Sequence, residues 1–184
     1  MNSILQEVND YKNKFDNESI ERLTNKILVC YGSHEYPIPI VEIVKTFGFK
    51  VILQKLDPNI SGIIGVDNNL KKIFDTNKVI SLQEDDNIGH KKFTIAHELC
   101  HYLLDYDKNS DIPFYDAYDL LCETNKYEKR ANLFAANLLM PKNQFSEMYK
   151  DFTKKKVSNT ITILANFFEV SETAVRRRIG ELHL

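Results

Sequence analysis

From residue 93 to residue 104 the chain carries one charged side chain, Glu98, set among Phe93, Ile95, Leu99, Tyr102, Leu103 and Leu104 and flanked by His97 and His101. A lone acid in so apolar a run needs a partner or a task. The pattern predicts a helix over about 91–105. On a helix, residues four apart project from one face about a turn apart. Two imidazoles so placed bind one Zn²⁺ at about 2.0–2.1 Å. Glu98 lies about 100° further round, where its carboxylate reaches a metal-bound water whose pKa the ion brings down toward about 7. This His-Glu-x-x-His arrangement is that of a metallopeptidase, with Glu98 as general base.

A catalytic zinc keeps three protein ligands and one open position. Two residues compete for the third place. Asp107 falls where a metzincin-type pattern puts its last ligand, but that pattern requires a glycine at 104, and Leu104 stands there. Glu128 lies on a separate predicted helix over about 125–140, which Pro141 ends, with Tyr127, Ala131, Phe134, Ala135 and Leu138 on its apolar face. Small Ala131 and Ala135 permit close approach of another helix. Glu128 also has a structural reading, as the third residue of a capping box headed by Asn125.

The rest of the chain reads as mixed helices around a short sheet, an α+β domain. Residues 3–30 look largely helical, and a second helix runs through Ile40, Ile43, Val44 and Phe47 to Gly48. Phe49 to Leu53 looks like a strand. Ile60–Val66 and Leu70–Phe74, with Asp67-Asn68-Asn69 between, predict a hairpin whose edge receives a peptide substrate as an added strand. Residues 77–90 read as a loop, and a Tyr- and Asp-rich connection follows the metal helix. The domain reading is 1–152 for a metallopeptidase core and 153–184 for a C-terminal helix-turn-helix-like segment.

Ile161, Leu164, Ala165 and Phe168 share one helical face of that segment, and Val175, Ile179 and Leu182 share the next, with Ser171 as N-cap. Arg176, Arg177 and Arg178 suit phosphate contacts, so a DNA-binding regulator is the rival reading. Glu169 at the turn, where glycine is usual, and Glu172 at the start of the would-be recognition helix favour packing or substrate docking instead. A third class, a non-catalytic metal-binding scaffold, runs against the intact His97, Glu98 and His101.

Net charge −2 with pI near 6.2 gives no global pull toward nucleic acid or anionic lipid. Three cysteines, Cys30, Cys100 and Cys122, make a disulfide framework a poor reading. No signal peptide or membrane span is legible. The expected location is the cytoplasm.

Phe93-Thr94-Ile95-Ala96-His97-Glu98-Leu99-Cys100-His101-Tyr102-Leu103-Leu104, followed by Glu128-Lys129-Arg130-Ala131-Asn132-Leu133-Phe134-Ala135-Ala136-Asn137-Leu138-Leu139-Met140-Pro141, closely resembles the ImmA/IrrE family of zincin-like metallo-endopeptidases. The resemblance implies that His97, His101 and Glu128 bind Zn²⁺ and that Glu98 is the general base. It implies a protein substrate, a helix-turn-helix repressor whose cleavage derepresses mobile elements or stress genes; some members belong to toxin–antitoxin-like pairs. Cys100 replaces the family's usual glycine and reads as a small buried packing residue. The sensor-like C-terminal domain of larger members is not expected here. Oligomeric state, trigger and transition-state donor (His90, Tyr102, Tyr106 or another tyrosine) are not encoded in any pattern.

Overall fold

The structure is a computed structural model that describes residues 4, 7–32, 35–107, 112–119 and 125–184. Cys122, most of the first six residues and part of the Tyr- and Asp-rich connection lie outside the described residues. The fold is α+β. Four strands, β1 (Lys50–Gln54), β2 (Ile60–Val66), β3 (Lys78–Gln83) and β4 (Phe114–Asp119), form one mixed sheet in the order β1-β3-β2-β4. β1 runs parallel to β3; the pairings of β2 with β3 and with β4 are antiparallel.

The helices are α1 (Asn17–Cys30), α2 (Ile40–Thr46), the single turn α3 (Lys71–Phe74), α4 (Ile88–Leu104), α5 (Lys126–Leu139), α6 (Lys142–Lys154), α7 (Thr160–Phe168) and α8 (Glu172–Glu181). α4 is the centre of the molecule. Asn87 caps it by accepting from the His90 N–H, and every side chain from Thr94 to Leu104 is buried. A helix apolar on all sides must be covered on all sides. The sheet covers one side of α4, and α5 packs along another. Gly62 of β2 makes the first contact possible: a Cβ there would stand 2.4 Å from Thr94 Cγ2. Fully buried Ala131 and Ala135 let α5 come close. α1 then covers α5 through Ile20, Leu23, Ile27 and Leu28.

Within the largely helical start, a 3₁₀ turn, Val8–Tyr11, is separated from α1 by Asp16, whose carboxylate caps α1 through the Ser19 N–H. Other expectations require correction. Residues 60–74 are not a hairpin. The Asp67 side chain accepts from the Asn69 N–H and starts a 3₁₀ turn, Asn68–Leu70, that runs into α3. The partner of β2 is instead β3, inside the stretch read as a loop. β3 lies in the interior of the sheet with Val79–Gln83 buried, so it shows no alternation to read. β2 is also an interior strand, with β4 on its other side, and offers no free edge to a peptide. α6, directly after Pro141, was not legible.

The C-terminal pair is seated on the rest of the molecule. The turn between α7 and α8 places Glu169 in the left-handed region at φ 49°, ψ 52°. Lys92 of α4 pairs with Glu169. Gly89 meets the backbone of Val170 so closely that a Cβ would stand 2.9 Å from its carbonyl carbon. Ser171 caps α8 through the Ala174 N–H. Among the described residues no helix is long and apolar enough to cross a membrane.

Candidate metal centre

α4 presents His97 and His101 one turn apart, and their Nε2 atoms stand 3.0 Å from each other. α5 brings Glu128 to the same point from its first turn. Glu128 Oε2 lies 3.1 Å from His97 Nε2, and Oε1 lies 3.5 Å from His101 Nε2. Asn125 caps α5 through the Tyr127 and Glu128 N–H groups, so the capping expected of Asn125 coexists with this placement. Among the described residues these three form a buried group with one possible ligand atom each, all within 4.8 Å of one another. Asp107 is not part of it.

Four ligands at about 2.0–2.2 Å around a tetrahedral ion stand about 3.3 Å apart, which matches the three separations. The outward nitrogens are held as well. His97 Nδ1 donates to Asn132 Oδ1 at 3.1 Å, and His101 Nδ1 donates to Asp105 Oδ2 at 2.9 Å. Such partners fix the ring and turn its other nitrogen inward. Asp105 in turn pairs with buried Arg130, which donates to the Lys12 carbonyl. Asp116 of β4 comes within 3.3 Å of His101 Nδ1.

The electrostatics are compatible with a bound cation. Burial opposes ionisation of Glu128, but hydrogen bonds to His101 and His97 hold it down at about 2. Burial alone would lower His101; Asp105, Glu128 and Asp116 overcome it and raise the imidazole to about 10. A coordinated cation would replace that proton and leave both imidazoles neutral. His97 is lowered, chiefly by desolvation, which suits an unprotonated ligand. The donor set of two imidazoles and one carboxylate suits Zn²⁺.

Glu98 stands beside this group with no exposed surface. Its Oε1 accepts from the Tyr118 N–H at 3.1 Å, while Oε2 is buried and, among the described residues, has no hydrogen-bond partner. Desolvation raises its carboxyl well above the usual carboxylate range. A buried carboxylate oxygen left open next to three convergent donors fits a water held on a metal ion.

Sequence reasoning passed over three neighbours. Asp105 reads as part of a solvated helix end, yet it caps α4 and bridges His101 to Arg130; its spacing of four from His101 was the available signal. Asn132, four after Glu128, had the same kind of signal. Tyr118, whose ring centroid lies 4.1 Å from that of His97, had none, because only sheet pairing brings it there. Of the transition-state candidates, Tyr102 is buried against Phe49, with its hydroxyl bonded to Lys78 Nζ at 2.8 Å, and Tyr106 stacks on Tyr102. Neither faces the group. His90 Nε2 lies 2.8 Å from Ser61 Oγ, on the Tyr118 side. Cys100 is buried, and burial raises its thiol further from ionisation, consistent with packing.

Comparison with known proteins bears on this arrangement. A search against curated protein sequences gives no match. Among solved structures, a Mycobacterium tuberculosis transcriptional regulator matches with a TM-score of 0.53 at 16% identity, over 97% of this chain and 51% of that one. The chain therefore spans about half the length of that protein, and at such identity the likeness concerns the fold alone. A family profile, the peptidase family described as the IrrE N-terminal-like domain, matches residues 44–180. That match takes in α4, α5 and the C-terminal pair up to Gly180, and the chain belongs to the ImmA/IrrE family.

Proposed function

We propose that the protein is a zincin-like, zinc-dependent endopeptidase, with His97, His101 and Glu128 as metal ligands and Glu98 as general base. The observation that carries this reading is the buried Oε2 of Glu98, without a partner among the described residues, beside the three convergent donors. Bound Zn²⁺ would supply Lewis acidity and bring the pKa of a coordinated water to about 7. The residues do the rest. The Tyr118 N–H fixes one carboxylate oxygen of Glu98 and leaves the other to take a proton from the attacking water. Glu98 then delivers that proton to the leaving amine. Asn132 and Asp105 keep the imidazoles turned inward throughout.

The substrate in this reading is a protein, a helix-turn-helix transcriptional repressor, as the family resemblance implies. The rival, a DNA-binding regulator, loses support at α8. Arg178 has no exposed surface and bonds to Asn137 and to the Met140 carbonyl, and Arg176 stands 3.7 Å from Glu172. The description of the structural neighbour as a transcriptional regulator suits a peptidase acting on a repressor as well as a DNA binder.

The test is incubation of the zinc-loaded chain with helix-turn-helix repressors from its own genome, read by mass spectrometry. Parent protein should yield two fragments from one of them. Glu98→Gln should keep its metal and cleave about 10²–10⁴-fold more slowly. Cleavage by that variant at the parental rate contradicts the mechanism.

A further inference from the structure

His97 and His101 are steadied from behind in different ways. His97 Nδ1 bonds to the neutral amide of Asn132. His101 Nδ1 has two carboxylates in reach, Asp105 Oδ2 at 2.9 Å and Asp116 Oδ2 at 3.3 Å. The two differ at their other oxygen. Asp116 Oδ1 accepts the N–H of its own neighbour, Ala117, whereas Asp105 Oδ1 is gripped from another element by Arg130 of α5. Arg130 is itself fixed by the segment that precedes α1. Its Nη1 donates to the Lys12 carbonyl at 2.7 Å, and its guanidinium carbon lies 4.6 Å from the centroid of the Phe15 ring. Phe15 meets the Tyr127 ring edge-on at 5.6 Å, and Lys12 Nζ reaches the Tyr106 carbonyl, just past α4, at 3.4 Å.

We infer that Arg130 is a positioning residue of the metal centre, and that residues 12–15 set the affinity for the metal through it. The inference rests on the metal ligands of the proposed function. It goes beyond them, because the family profile begins at residue 44 and residues 12–15 lie ahead of it. The relay runs from the Lys12 carbonyl and the Phe15 ring to Arg130, then to Asp105, then to His101. Two features separate this task from mere scaffolding. Arg130 is almost fully buried, and its Nε has, among the described residues, no hydrogen-bond partner. A buried guanidinium with an open donor is a poor stabiliser, since an apolar residue of similar volume often serves such a site as well or better. The second feature is the competition at His101. Left alone, the ring would share its Nδ1 hydrogen bond between two carboxylates. The rigid fork of a guanidinium matches a carboxylate, so Arg130 fixes Asp105 as the partner. An imidazole fixed at Nδ1 keeps Nε2 aimed at the donor group. α5 thus holds His101 from both sides, with Glu128 facing Nε2 and Arg130 acting behind Nδ1.

Zinc affinity of the full chain, read by competition with a chromophoric chelator, tests this without reference to cleavage. Arg130→Gln should weaken zinc binding about 10–100-fold. Arg130→Lys keeps a charge on Asp105 but loses the fork, and should fall between that variant and the parent. Asp105→Asn should match Arg130→Gln, and the two together should weaken zinc by no more than about twofold beyond the larger single effect, because they break one relay. Phe15→Ala removes the ring beneath the guanidinium and should weaken zinc about two- to fivefold, with no further effect once Arg130 is Gln. A second readout follows the ring itself. In zinc-loaded protein labelled with ¹⁵N, the His101 Nδ1 proton should exchange with solvent about tenfold faster in Arg130→Gln than in the parent, while the His97 Nδ1 proton keeps its rate. Parental zinc affinity in folded Arg130→Gln, or fully additive effects of Arg130→Gln and Asp105→Asn, overturns the inference and leaves Arg130 a structural residue. Should Arg130→Gln fail to fold, parental affinity and exchange in both Arg130→Lys and Phe15→Ala overturn it equally. A folded parent that binds no zinc overturns the metal assignment and this inference with it, whereas a zinc-binding parent with unaffected variants removes this inference alone.

Discussion

Arg178 on α8 and Glu98 on α4 are both sealed from solvent, and their surroundings are opposite. Each guanidinium nitrogen of Arg178 has an acceptor: Met140 O for Nε, Glu181 for Nη1 and Asn137 Oδ1 for Nη2. Glu98 has the Tyr118 N–H on one oxygen and, among the described residues, no partner on the other. Burying a charge costs several kcal/mol unless its hydrogen-bonding capacity is filled. The C-terminal pair meets that condition, and α4 leaves it unmet at one atom. A satisfied buried charge reports where an element is anchored. An unsatisfied one beside convergent donors marks a candidate site for chemistry.

The contrast can be broken by substitution. Beyond the loss of turnover expected for Glu98→Gln, Arg178→Ala strands Asn137 and the Met140 carbonyl and should lower unfolding stability by about 3–5 kcal/mol. Urea denaturation measures it, with Arg176→Ala as the exposed control, expected within about 0.5 kcal/mol of the parent. Equal effects of the two would mean that α8 is not anchored through Arg178. At the metal group, Asn132→Ala removes the acceptor for His97 and should weaken zinc affinity about 10–100-fold; competition with a chromophoric chelator reads this directly. The smallest expected effect has the opposite sign. Glu98→Gln, measured in excess chelator, should raise stability by about 1 kcal/mol, since it removes a buried carboxyl whose ionisation desolvation opposes. A marked loss of stability would place Glu98 with Arg178, as a structural charge.

What the sequence disclosed follows the range of the interactions involved. His97, Glu98 and His101 are legible because helical spacing places them together. Glu128 became legible through its block of neighbours, and the structure brings it to the two histidines. Asp105 and Asn132 each lay four residues from a residue already singled out, and only an expectation of solvent at the helix end hid the first. Strand pairing is another matter. β3 pairs with β1 from 29 residues away and carries no alternation, because it is covered on both sides. β4 forms inside a polar connection because β2 offers it an edge. That pairing delivers Tyr118 and Asp116 to the site, and no local pattern announces it. The same pairing removes β2 as a receiving edge for substrate.

The most direct test of the central claim is metal stoichiometry on purified protein, by mass spectrometry of the elements. The parent should hold one Zn²⁺ per chain. Glu128→Ala should lose most of it, because two imidazoles alone leave the ion weakly held, while Asp107→Ala should match the parent. Retention of full zinc by Glu128→Ala together with its loss from Asp107→Ala would contradict the account, moving the third ligand off α5 and away from the group that His97 and His101 form with Glu128.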